Sequence, residues 1–225
     1  MFFILPWKLQ QRRPFRGTPF ANVVVILLNV LFYLLGWRWF VGPGTGPLSI
    51  VLYAFSHSGL WHLLFNMWAL WIFGNALNRR LGNGYYLLAY LGAVLALGLF
   101  ARLVLPAGLI GASGVVFTVI TMGLVLMPAD VLEIACLALF PLTAVIGLVS
   151  RPREWSQWLI RWAVYPIPAF WALLLIPFLE LFAFFWNSWS LTNLAHLLGM
   201  LLGLVVLVLL PTTLTMGRRP VAGSR

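Results

Sequence analysis

Charge is what this 225-residue chain has least of. Only 8% of its residues are charged, and the acids among them are four: Asp130, Glu133, Glu154 and Glu180. A soluble domain carries about a quarter of its residues charged; with 63% hydrophobic residues and a mean hydropathy of +1.01, this composition excludes one. Cysteine occurs once, as Cys136, which excludes an internal disulfide and a cysteine-based metal centre. Histidine occurs three times, at His57, His62 and His196, and no group of His, Asp and Glu has metal-ligand spacing, so neither a metal nor a cofactor is expected. The net charge of +10 does not imply a nucleic-acid partner, because the basic residues form no stripe. They fall in short groups between apolar segments: Lys8, Arg12, Arg13 and Arg16; Arg79 and Arg80; Arg151, Arg153 and Arg161; Arg218, Arg219 and Arg225. Such placement carries orientation information for a chain that crosses a bilayer.

The apolar segments predict an all-α membrane protein, a bundle of six spans with both termini in the cytoplasm. The first span, Ala21 to Phe40, is about 30 Å of helix and follows four basic residues, so it starts inside. Gly42, Pro43, Gly44, Gly46 and Pro47 make the next stretch an exterior loop. Leu60 to Asn78 descends to Arg79 and Arg80, Gly82-Asn83-Gly84 is a tight turn, and Tyr85 to Leu105 rises again. A fourth span, Ala112 to Met127, starts outside, and the sixth, Leu191 to Leu210, does the same because a basic tail follows it. Between them the chain must cross an odd number of times, yet two apolar segments lie there. Val164 to Trp186 is the longer and is taken as span five. Val131 to Val149 carries Glu133 and is broken by Pro141, and is expected to be interfacial or re-entrant. Residues 1–18 then form a cytoplasmic or interfacial lead-in, 19–211 a single membrane domain and 212–225 a cytoplasmic basic tail. A seventh span would start Ser113 and His196 from opposite faces.

Polar groups inside these spans concentrate near one surface. Ser113 stands in Gly111-Ala112-Ser113-Gly114, at the head of the fourth span. A serine there serves helix packing equally well, since a small side chain lets backbones approach. His196 lies one to two turns inside the outer end of span six, and an ionisable group in a span marks a functional site by default. Gly199 and Gly203, at i+3 and i+7, share its face and form a GxxxG pair that admits another backbone. If the partner is span four, hydroxyl and imidazole meet. Burial keeps an imidazole neutral and able to take a serine proton. No Asp stands where it could orient that imidazole, so the expected constellation is a Ser113/His196 dyad. His62 and Asn66, at i and i+4 near the same surface, are expected to supply N–H groups to an oxyanion, together with the backbone N–H of Ser113. His57, in the preceding loop, is expected to hold the loop or conduct water.

Together these stretches resemble the rhomboid family of intramembrane serine proteases. The resemblance rests on His57-Ser58-Gly59-Leu60-Trp61-His62-Leu63-Leu64-Phe65-Asn66, on Gly111-Ala112-Ser113-Gly114, and on Asn193-Leu194-Ala195-His196 followed by Gly199 and Gly203. It implies a rhomboid-like bundle with Ser113 as nucleophile, His196 as base, His62 and Asn66 as oxyanion stabilisers, and Asn193 and the glycines in support. It also implies cleavage of membrane-anchored proteins within or beside a transmembrane helix, with Asn187 to Ser190 capping the site and span five gating entry. Many members carry a Tyr four residues after the serine; Phe117 keeps the ring and lacks the hydroxyl. The first exterior loop is short, Trp37-Arg38 stands too far from His57 to match the pair seen in some members, and the segment 131–149 is an unusual insertion.

Proteolysis of a helix requires local unwinding before a carbonyl is exposed, so the expected partners are membrane proteins whose spans are weakened by Gly, Pro or other poor helix formers. Two rivals stand beside this reading. One is a catalytically inactive rhomboid-like client-binding protein, though relatives of that kind usually lack the serine or the histidine, and both are present here. The other is a small transporter using the histidines as a proton path, for which the sequence shows neither paired carboxylates nor an internal repeat. The compact chain without an Arg/Ser-rich amphipathic presequence is expected in a bacterial or archaeal plasma membrane.

Overall fold

A computed structural model describes residues 2–12 and 17–210; Arg13, Arg16 and the basic tail lie outside the described residues. The chain is mostly helical. Its long elements are α1 (Phe20–Leu34), α3 (Leu60–Ala69) running through a π-helical segment (Leu70–Gly74) into α4 (Asn75–Leu81), α5 (Asn83–Val104), α6 (Ser113–Leu126), α8 (Ala169–Trp186) and α9 (Leu191–Leu209). Shorter helices are α2 (Ser49–Leu52) in the loop after α1 and α7 (Leu142–Ser150) in the insertion. Of these, α5, α8 and α9 are long and apolar enough to cross a membrane; α1 and α6 are apolar but shorter. Nearly all of α6 is buried, while α8 exposes most of its surface, so α6 is the central post of the bundle and α8 a peripheral one.

Expectation and structure part in three places. The all-α expectation gives way to a mostly helical chain with one three-stranded antiparallel sheet, order β1-β2-β3, built from β1 (Phe2–Gln10), β2 (Val131–Leu139) and β3 (Ile160–Pro168). The segment taken as the start of span five, Val164 to Pro168, is therefore strand, and the helix begins at Ala169. Pro166 and Pro168 explain this, since proline breaks a helix interior but is tolerated on an edge strand. The central strand β2 has no proline, whereas the edge strands carry Pro6, Pro166 and Pro168; the register of β1 against β2 shifts between Pro6 and Lys8. The third difference is the first span, which ends as a helix at Leu34. Gly36 takes a positive φ of 69°, and Val41 pairs with Leu109 as an isolated bridge.

Inside the bundle one asparagine gathers four elements. Asn22 of α1 donates from its side-chain amide to the Leu70 carbonyl (2.8 Å) and to Asn75 Oδ1 (2.8 Å), while its backbone N–H donates to Asn78 Oδ1 (3.0 Å). The Tyr86 hydroxyl of α5 donates to Asn22 Oδ1 at 2.5 Å. Asn22 is fully buried. In a low-dielectric interior an unpaired amide is costly, so the π-helical stretch at Leu70–Gly74 and Asn22 satisfy each other. At the same end of the bundle the chain leaves α6, forms the β2-α7-β3 insertion and returns: Ala169 N–H donates to the Asp130 carbonyl (2.8 Å) and Phe170 N–H to the Pro128 carbonyl (3.2 Å).

Candidate active site

The opposite end of the bundle carries the polar groups singled out in the sequence. Gly111 takes a φ of 107°, a left-handed conformation that favours glycine, and its N–H donates to the Tyr53 carbonyl (2.9 Å). A Cβ at Gly111 would strike the imidazole of His62, so the glycine lets that ring lie directly against the turn leading into Ser113. Ser113 opens α6 and is half-buried.

Helix α9 closes on α6 through glycine. A Cβ on Gly199 would run into the carbonyl of Gly114, and one on Gly203 would lie 2.8 Å from the Thr118 carbonyl oxygen. Thr118 fastens the contact, its hydroxyl lying 2.9 Å from the Gly199 carbonyl as donor. α6 and α9 make the most extensive helix–helix packing in the molecule. Gly114 and Gly199 thus face each other across α6 and α9, Gly203 lies against Thr118, and Gly111 faces His62 instead. On that contact sits His196, stacked on Phe117 with ring centroids 4.2 Å apart and planes 23° off parallel. The ring is present as the sequence requires, and its flat packing restrains the imidazole without a hydroxyl.

One acid, a glutamate and not the Asp of the usual triad, joins this group. Glu180 of α8 accepts a hydrogen bond from His196 Nδ1 at 2.9 Å and from Asn193 Nδ2 at 2.7 Å, both on Oε2. Because a carboxylate only accepts, Nδ1 carries the proton and the lone pair belongs to Nε2. That Nε2 is buried and has no hydrogen-bond partner, the Ser113 hydroxyl included. A neutral imidazole so held can take a proton from a hydroxyl brought to it.

His62 and Asn66 stand on α3 as the i, i+4 spacing requires. Ser58 Oγ lies 3.0 Å from His62 Nδ1, which leaves His62 Nε2 toward Gly111. Asn66 is buried and its amide donates back to the His62 carbonyl at 2.7 Å, so its hydrogen bond serves its own helix. His57 is buried with its ring edge-on to His62, centroids 5.1 Å apart. Neither of its ring nitrogens has a hydrogen-bond partner of ordinary geometry, although the Phe55 backbone lies near. Desolvation lowers its pKa to about 4, with His62 adding to the shift and the Phe55 backbone opposing it. Below the pair of Glu180 and Phe117 lies an apolar cavity of about 320 Å³ bounded by α6, α8 and the sheet, with Ala172 and Ile134 among its walls. Among the described residues no group of His, Cys, Asp and Glu could hold a metal ion.

Residues 44–151 match the model of the rhomboid domain. Over 83 residues the chain is 40% identical to the mitochondrial rhomboid protein 1 of Saccharomyces cerevisiae, a stretch covering 34% of this chain and 24% of that protein. Over 61 residues it is 41% identical to the rhomboid protease GluP of Bacillus subtilis, covering 27% of this chain and 12% of that protein. The matches span a quarter or less of these relatives' lengths. The domain match takes in His57, His62, Asn66 and Ser113 and ends before Glu180, Asn193 and His196.

Proposed function

The chain belongs to the rhomboid family, and on that premise we propose that it is a serine-type intramembrane endopeptidase acting on membrane proteins. The Ser113 hydroxyl attacks a scissile carbonyl while His196 Nε2 takes its proton. The tetrahedral oxyanion is met by the backbone N–H of Ser113 and by His62, with Asn66 in support. His196 then gives the proton to the departing amine, and water hydrolyses the acyl-enzyme by the same base. His57, Gly111, Gly114, Phe117, Asn193, Gly199 and Gly203 act in support by holding these groups. The observation that carries the reading is the buried, unbonded Nε2 of His196 on a ring stacked against α6. Six crossings with both termini in the cytoplasm, in a bacterial or archaeal plasma membrane, complete it. The yeast relative's mitochondrial name makes an organelle membrane the alternative. The inactive-relative reading is not favoured, because both Ser113 and His196 are present.

The test is cleavage of a single-span substrate in liposomes by the wild type, Ser113→Ala and His196→Ala. Cleavage lost in both variants, with the proteins folded, is the expected result; cleavage surviving either substitution refutes the dyad. Substrates whose span carries Gly or Pro near the cut are expected to be cleaved faster than versions with Leu or Ala there. Equal rates would contradict the unwinding argument.

A further inference from the structure

We propose that Glu180 is the positioning residue of this site, a carboxylate that fixes the tautomer and orientation of His196 so that the constellation works as Ser113–His196–Glu180. The proposal rests on the protease reading for its chemistry, but its geometry stands on its own. α8 and α9 are joined by a turn, Asn187 to Ser190, in which Ser188 and Trp189 adopt left-handed φ values of 52° and 65°. The turn is tied back by the Trp189 N–H to the Phe184 carbonyl (3.0 Å) and the Asn187 N–H to the Ala183 carbonyl (2.9 Å). A connection this short makes the two helices antiparallel neighbours, so residues equidistant from it lie at equal depth. Glu180 and His196 are equidistant from Ser188 in sequence.

Asn193 and His196 stand at i and i+3 on one face of α9, and both donate to the same carboxylate oxygen. The Asn193 amide holds the carboxylate in place while the carboxylate holds the imidazole. Phe117 stacks on the ring and limits its rotation. The other groups lining the cavity below are apolar: Phe117, Ile120, Leu175, Ile176 and Leu179. The side chains of His196 and Glu180 are only 14% and 18% exposed, so water competes weakly for the bond. Without Glu180, nothing selects the Nδ1–H tautomer, and a fraction of molecules would present N–H rather than a lone pair to Ser113. A neutral amide in its place can turn its NH₂ to Nδ1 and select the wrong tautomer outright.

Two readouts test this on the full-length protein in detergent. The first is the rate at which a small fluorophosphonate labels Ser113, with kcat and KM for a single-span substrate measured alongside. The second is imidazole ¹⁵N NMR of histidine-labelled protein, with His196→Ala assigning the resonance, which reads the tautomer whether or not the protein cleaves anything. In Glu180→Gln, labelling and kcat are expected to fall together by about 100-fold with KM little changed, within the range for loss of the carboxylate orienting a reactive histidine. The Nδ1–H signature of His196 is expected to be lost. Wild-type labelling and tautomer in Glu180→Gln would overturn the proposal, as would a change confined to KM, which is the mark of a packing or gating role for α8. Should Glu180→Gln not fold, Glu180→Asp withdraws the carboxylate by one methylene while keeping its charge; slower labelling is expected, and an unchanged rate overturns the proposal. A wild type that shows the Nδ1–H signature, loses it in Glu180→Gln, and never labels would refute the protease reading and leave the positioning intact.

Discussion

Substituting Gly199 by Ala adds a single methyl group at the tightest point of the α6/α9 contact. That Cβ would lie 2.9 Å from the carbonyl carbon and 3.2 Å from the Cα of Gly114, with the carbonyl oxygen nearer still. These are backbone atoms of a buried helix, so no side chain can swing aside, and α9 must retreat by on the order of 1 Å to restore van der Waals distance. The retreat carries His196, one turn away on the same face, off Phe117 and away from Ser113, and stretches the Thr118 hydroxyl bond to the Gly199 carbonyl. Overpacking of this kind costs about 1–3 kcal/mol of stability, and a displacement of about 1 Å at reacting groups costs about 100-fold in rate. The assay is kcat and KM on a single-span substrate, with the thermal midpoint in detergent measured in parallel. Gly92→Ala is the control, because Gly92 is an exposed helical position on α5 whose added Cβ would meet nothing within 4 Å, and it is expected to be neutral or slightly stabilising. A Gly199→Ala protein with wild-type kcat and midpoint would show that the glycine contact does not set the position of His196.

Asn22→Leu is expected to lower stability by about 3 kcal/mol by leaving the Leu70 carbonyl, the Asn75 amide oxygen and the Tyr86 hydroxyl without their shared partner; an unchanged thermal midpoint would refute the account of the π-helical segment. His57, lowered to about 4 by burial, makes a pH prediction whose sign follows from proton counting: below about pH 6.5 an exposed histidine binds a proton that the folded protein refuses, so stability falls as pH drops. The loss is about 1.4 kcal/mol at pH 5.5 and about 3 kcal/mol near pH 4, and a His57→Asn protein whose midpoint falls as steeply with acid as the wild type would exclude His57 as its source. In a Cys136→Ala background, Arg151→Cys and Ser188→Cys are expected to react with an impermeant thiol reagent from opposite sides of sealed vesicles; labelling of both from one side would refute the six-span topology.

The helical elements that carry the site were legible because their boundaries are written in strong signals. Gly82 with its positive φ of 82° separates α4 from α5, and Ser190 opens the last helix. The close approach of α9 to α6 was legible too, because GxxxG spacing specifies one face of α9 and a close backbone partner. The sheet was not. Apolar runs such as Val131 to Leu139 fit a buried strand as well as a helix by periodicity, and what decides is the pairing of β2 with residues 2–10 and 160–168, which are far away in sequence. The available signal is proline: Pro166 and Pro168 fall within β3, where a helix interior would not tolerate them. Glu180 was visible as an acid in a span. Its meeting with His196 was not, because the two residues come together only once the four-residue turn folds α8 against α9.

That turn and the insertion before α8 bear on the site through one argument. For Ser113 at the start of α6 and His196 near the start of α9 to share a surface, the chain between them must cross the bundle once in each direction. The insertion could have broken this by adding a crossing. It does not, because Ala169 and Phe170 return to hydrogen-bond with Asp130 and Pro128, the residues from which the insertion departs. The β2-α7-β3 excursion therefore leaves and re-enters at one end and contributes no net crossing, whatever its own depth. α6 goes down, α8 comes up, and α9 starts beside the head of α6. The same closure fixes the foot of α8, so that the helix arrives at the far end of the bundle with Glu180 opposite His196. An insertion that ended two residues later would rotate α8 by about 200° and turn that carboxylate away from the histidine.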